Sequence, residues 1–149
     1  MGLQEQVMEQ MKAAMKSKDK VALESLRALK SAFLLANTSG NKSDLNEEDE
    51  IKIVQKLIKQ RKDSAAIFES QGRSDLSGPE LEQIIVLEQF LPEQLSKEEV
   101  EKMIEEIIVQ TGASSMKDMG KVMGLASKRL AGKADGKAIS GIVKAKLSN

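Results

Sequence analysis

Apolar residues recur along this chain at helical spacing almost throughout, and no segment shows the sustained alternation of a half-buried strand. Leu3, Val7, Met8, Met11 and Met15 define a first amphipathic helix that ends near Ser17-Lys18-Asp19, with Asp19 as N-cap of the next. Ala22, Leu26, Leu29 and Phe33 share one face of a second helix running to about Asn37, after which TSGNKSDLN (38–46) reads as a loop. Asn46 caps a long third helix with Ile51, Val54, Ile58, Ala65 and Phe68 along its stripe, closed by Gly72 in the left-handed conformation. Ser77-Gly78-Pro79-Glu80 has the form of a capping box and predicts the start of a fourth helix, with Leu81, Ile84 and Ile85 on one side.

Pro92 in FLPEQLS (90–96) forbids helix continuation and holds Leu91 extended, so the domain boundary is placed here. Beyond it, Ser96 and Glu99 form a further capping box ahead of a stripe of Val100, Met103, Ile104, Ile107 and Ile108, stopped by Gly112. Ser115 with Asp118 opens a helix over 116–131 that Gly132 ends. Asp135 caps a last helix carrying Ile139, Ile142, Val143 and Leu147. The pattern predicts an all-α protein of two helical domains, an N-terminal bundle of about four helices (1–92) and a C-terminal three-helix domain (93–149).

Composition narrows the chemistry. With three Phe and neither Trp nor Tyr, aliphatic side chains and Met must build the cores. With no Cys or His, thiolate and imidazole metal sites, cysteine nucleophiles and a Ser-His-Asp triad are excluded, and no metal or cofactor is expected. The opening MGLQEQVMEQMKAAMK mixes charge with apolar residues unlike a secretory signal, and no run reaches membrane-spanning length, so a cytoplasmic location is expected.

The overall charge balances to zero, but its distribution is uneven. From Thr111 to Asn149 there are eight Lys or Arg (Lys117, Lys121, Lys128, Arg129, Lys133, Lys137, Lys144, Lys146) against Asp118 and Asp135, a surplus of six that points to a polyanionic partner. The stretch KDMGKVMGLASKRLAGKADG (117–136) is not a Walker A loop: Gly124 and Gly132 stand too far apart, and Gly132-Lys133 is followed by Ala134. Nor does a strand precede it, as a dinucleotide fingerprint requires. Wound as a helix, it presents three stripes: an apolar face of Met116, Met119, Met123, Ala126 and Leu130, a small-residue stripe of Gly120, Gly124, Ser127 and Ala131, and a basic face of Lys117, Lys121 and Lys128. Two glycines inside a helix cost about 1 kcal/mol each relative to Ala, so the stripe needs a reason. Either a neighbouring helix of the domain packs closely against it, or it admits a nucleic-acid backbone beside the lysines. The basic end has no aromatic residue on which single-stranded bases could stack, so any RNA would be bound through its phosphates and shape.

Taken together, QRKDSA (60–65), GRSDL (72–76), FLPEQLS (90–96), KDMGKVMG (117–124), AGKADGKAIS (131–140) and IVKAKL (142–147) resemble the GatB/YqeY family, and within it the free-standing YqeY-like members, over essentially the whole chain. The resemblance implies two helical domains, the second related to the tail domain of the B subunit of glutamine-dependent aminoacyl-tRNA amidotransferase, which engages the body of tRNA. It also brings the family-level assignment of carbon-nitrogen ligase activity with glutamine as amide donor. No nucleophile with an activating base and no nucleotide-phosphate site is found in these residues. The resemblance therefore implies a non-catalytic tRNA-binding accessory module, with Lys117, Lys121, Lys128, Arg129, Lys133 and Lys137 facing the tRNA and amidotransferase or other translation proteins as partners. The alternatives are a component of tRNA-dependent amidation and a protein-interaction module whose basic end is only a solvated face.

Other marked residues have structural readings beside functional ones. Arg61 lies on an apolar stripe, where it would snorkel or pair across a helix interface. Arg27 has Glu24 at i−3 as an ion-pair partner. The run Glu47-Glu48-Asp49-Glu50 suits the positive end of a helix dipole and not a metal, because consecutive side chains diverge. Gly72-Arg73-Ser74-Asp75-Leu76 is a helix stop or a binding loop, with Arg73 as the candidate contact.

Overall fold

The structure is a computed structural model that describes residues 2–39 and 45–148. The described residues are helical with no strand, and they divide into two compact units, Met1–Leu91 and Pro92–Asn149. None of the described helices is long and apolar enough to cross a membrane.

The first unit contains α1 (Leu3–Ser17), α2 (Lys20–Ser39), α3 (Glu47–Ser70) and α4 (Ser74–Glu88). Its core joins Val7 and Ala14 of α1, Leu26, Leu29 and Phe33 of α2, Val54 and Ile58 of α3, and Ile84 and Leu87 of α4, with Phe90 beyond the last helix. α1 ends at Lys18, whose left-handed φ of 60° reverses the chain, and Asp19 Oδ1 then accepts the Ala22 N–H as the N-cap of α2. The expected loop over 38–46 falls mainly on residues 40–44, outside the described ones, while Thr38 and Ser39 extend α2. Asn46 and Asp49 form a reciprocal capping box at the head of α3, which places the acidic run at the positive end of its dipole.

Ser77 does not open α4 as the sequence predicts. Gly72, with φ 72°, turns the chain so tightly after α3 that α4 begins at Ser74, and the Leu76 and Ser77 N–H groups already bond to the Arg73 carbonyl. Pro79 therefore lies inside the helix, and Ser77 is buried on its inner face rather than serving as a cap. Arg61 links three helices: its Nε donates to Gln83 Oε1 of α4 at 2.8 Å, its Nη1 to the Leu57 carbonyl at 3.1 Å, and Gln83 Nε2 donates to Glu24 Oε2 of α2 at 3.3 Å. The Arg27–Glu24 ion pair is not formed, because the carboxylate turns to Gln83 instead.

In the second unit, α5 (Lys97–Thr111) is followed by a 3-10 turn (Met116–Asp118), α6 (Met119–Arg129) and α7 (Gly136–Leu147). Ser96 and Glu99 cap α5 reciprocally, Gly112 ends it with φ 68°, and Ser115 with Asp118 caps the 3-10 turn. The core is Val100, Ile104 and Ile107, then Val122, Ala126 and Leu130, then Ile139, Val143 and Leu147. A clasp holds the segment before α5 to the turn between α6 and α7: the Leu95 N–H donates to the Lys133 carbonyl at 2.9 Å, and Gln94 Nε2 to the Gly132 carbonyl. α5 carries five glutamates against Lys97 and Lys102, whereas neither α6 nor α7 contains an acidic residue.

Candidate nucleic-acid interface

The stretch after Gly112 contains a 3-10 turn over Met116–Asp118 ahead of α6. Val122, absent from the apolar face read from the sequence, is fully buried with Ala126 and Leu130, while Met119 and Met123 pack at the core's edge and Met116 is 40% exposed. Val122 precedes Ala126 and Leu130 by four and eight residues and so shares their side of the helix, while the exposed Met116 belongs to the 3-10 turn ahead of α6. Stepping at 100° per residue from the buried stripe places Gly120, Gly124, Lys117, Lys121 and Lys128 on the outer side of α6, and all five are exposed.

Among the described residues, no neighbouring helix comes within contact distance of the glycine positions. A Cβ built on Gly120 or Gly124 would meet nothing within 4 Å, so the expected close helix packing is absent. Among the described residues, no contact at these positions offsets their helix cost.

Among the described residues, the ammonium groups of Lys117, Lys121, Lys128, Lys133 and Lys137 have no hydrogen-bond or ion-pair partner. Lys121 and Lys128 lie on α6 and Lys117 in the 3-10 turn ahead of it, while Lys133 and Lys137 flank the cap of α7, where Asp135 Oδ1 accepts the Lys137 N–H at 3.4 Å. Arg129 differs from the lysines: its Nη2 donates to Gln110 Oε1 of α5 at 2.7 Å, which engages the guanidinium within the unit.

Two further lysines complete the electrostatics. Lys144, one heptad beyond Lys137 and therefore on the same side of α7, is exposed and unpartnered among the described residues; that spacing was the available signal for it. Lys146 is neutralised by Glu105, whose hydrogen bond and charge raise the lysine's pKa. It lies beside a groove of about 430 Å³ between α5 and α7, lined by Lys97, Glu101, Ala138, Gly141, Ile142, Ala145 and Lys146. Both signs of charge meet at that rim, unlike the uniformly cationic outer side of α6.

Arg73 belongs to the first unit and not to the unit that carries these lysines. Its Nε and Nη2 form a two-pronged bond to Asp75 at 3.0 and 2.9 Å, which raises the arginine's pKa and holds the Asp75 carboxyl below its ordinary value.

The fold and this surface define a two-unit protein, helical with no strand among its described residues, whose C-terminal unit carries unpartnered lysines on α6, on α7 and in the turns beside them. The chain belongs to the YqeY-like protein family, which it matches over residues 4–147. It is also similar to the E subunit of the glutamyl-tRNA(Gln) amidotransferase of Thermococcus gammatolerans, at 44% identity over 57 residues, 36% of this chain. The match spans 9% of that relative's length.

Proposed function

We propose that the protein is a non-catalytic tRNA-binding module whose contact surface is the outer side of α6 with the α6–α7 turn. The observation that carries this reading is the row Lys117, Lys121 and Lys128, exposed and unpartnered among the described residues, beside two helix glycines at which an added Cβ would meet no other described residue within 4 Å. Phosphates need cations at reachable spacing and room for the backbone to approach, and the row supplies both. The archaeal relative is by name an amidotransferase of glutamyl-tRNA(Gln), which supports tRNA as the polyanion and translation proteins as the setting. Lys133, Lys137 and Arg129 extend the same surface, and Gly120 and Gly124 are where the RNA backbone comes closest.

The test is binding of bulk tRNA at about 50 and 200 mM salt by the wild-type chain and by a Lys117→Ala/Lys121→Ala/Lys128→Ala variant. Loss of three phosphate contacts lowers the slope of log affinity against log salt by roughly 2 to 3. Unchanged affinity and slope in the variant refute the reading. Glutamate release or amidated tRNA from the chain supplied with glutamine, ATP, Mg²⁺ and mischarged tRNA would replace it with an enzymatic one.

A further inference from the structure

We infer that the first unit carries a second phosphate-binding surface for RNA at its α1–α2 turn, built from Lys12, Lys16, Lys18 and Lys20; the inference extends the tRNA-binding reading above and rests on it for the identity of the polyanion. Residues 12–20 hold these four lysines against Asp19 alone, whereas the rest of 1–91 has nine Lys or Arg and fourteen Asp or Glu. All four side chains are exposed, and none has a hydrogen-bond or ion-pair partner among the described residues. Lys12 and Lys16 lie one turn apart on the same side of α1, Lys18 is its C-cap, and Lys20 is the first residue of α2. The one carboxylate among them is engaged in capping: Asp19 Oδ1 accepts the Ala22 N–H at 3.1 Å.

Two of these lysines stand where they cost stability. Lys18 adopts φ 60°, a left-handed conformation that a Cβ makes unfavourable, and the other described left-handed positions, Gly72, Gly112 and Gly132, are all glycine. Lys20 puts its charge at the positive end of the α2 dipole, and the first turn of α2 has no acidic residue, whereas that of α3 has Glu47, Glu48, Asp49 and Glu50. Helix formation accounts for lysine at neither place; an external anion accounts for both. Lysine meets a phosphate as a point charge and needs no fixed fork geometry to do so. An anionic lipid surface would call for a broad apolar face beside the cations. α1 instead buries Val7 and Ala14, and its exposed large apolar side chains are Met8 and Met15, two turns apart.

The experiment measures bulk tRNA binding between about 50 and 200 mM salt by the full chain, by a Lys12→Ala/Lys16→Ala/Lys18→Gly/Lys20→Ala variant, and by Lys18→Gly and Lys20→Glu alone. The fourfold variant is expected to bind more weakly and to lower the slope of log affinity against log salt by roughly 3. Lys18→Gly and Lys20→Glu are each expected to weaken binding while the urea midpoint holds or rises, a combination that loss of the fold does not produce. Unchanged affinity and slope in the fourfold variant overturn the inference and leave the α6 surface standing. Binding to phosphatidylserine vesicles that the fourfold variant loses, with tRNA affinity untouched, overturns it in favour of a membrane. Loss in the fourfold variant with none in Lys117→Ala/Lys121→Ala/Lys128→Ala would uphold this surface and refute the α6 one, and absence of tRNA binding by the wild-type chain would defeat both.

Discussion

Gly120 and Gly124 stand one turn apart on the outer side of α6, and a methyl group on either would meet no neighbouring described residue within 4 Å. Stability and binding should therefore respond to Gly→Ala in opposite directions. Gly124→Ala, in the body of the helix, is expected to stabilise the C-terminal unit by about 0.5–1 kcal/mol, and Gly120→Ala, in the first turn, by less. Both should weaken tRNA binding if the backbone approaches there. Urea unfolding beside a binding titration reads the two effects separately, and destabilisation by either substitution would mean that the open space is filled in solution.

The two Ser-x-x-Glu segments make different predictions despite their like sequence. Ser96→Ala removes a hydroxyl that accepts the Glu99 N–H at 3.2 Å, and should cost about 1 kcal/mol. Ser77→Ala removes only a bond to the Ser74 carbonyl at 3.5 Å, the edge of hydrogen-bonding distance, and should change stability by less than about 0.5 kcal/mol. Equal losses in chemical denaturation would restore Ser77 as a helix cap.

The Arg73–Asp75 pair gives a pH signature. Because its folded pKa is depressed, Asp75 contributes stability that is present above its unfolded pKa and lost as pH falls through the lower folded value. Carboxyl NMR titration should show Asp75 with a low midpoint that returns toward the ordinary aspartate value in Arg73→Ala. Since both side chains are solvent-exposed, global stability should barely move.

Arg61 should matter for packing rather than for RNA. Arg61→Ala leaves Gln83 without its donor and removes the link from α3 to α4 and α2, so a loss of roughly 1–3 kcal/mol is expected. tRNA affinity under native conditions should be unaltered, and a binding defect in a variant of full helical content would contradict this.

Helix positions and most caps were legible in the sequence because they depend on local chemistry: Asn46, Ser96, Asp135, Gly72 and Gly112 act within a few residues of themselves. What escaped depends on context. Ser77 met every local requirement of a cap, but the turn at Gly72 had already started the helix. Met8 and Met15 fit an apolar stripe yet are substantially exposed, while the small Ala14 takes the buried place beside Val7. Val122, four residues before Ala126, shares the buried face, whereas Met116, in the 3-10 turn ahead of α6, is exposed. The lysines of the candidate surface could be named from composition and periodicity. That Arg129 is tied to Gln110 could not, since the two are 19 residues apart and meet only when α5 and α6 pack.

The sorting of charge in the C-terminal unit, glutamates on α5 and lysines on α6 and α7, also acts before any contact is made. In the field of a polyanion such a body experiences a torque as well as a pull: its acidic helix is driven away while its lysine side is drawn in. An approaching RNA would thus find the unit already rotated to face it, and fewer collisions would be wasted on the wrong side. Added salt would erase that rotational guidance along with the attraction.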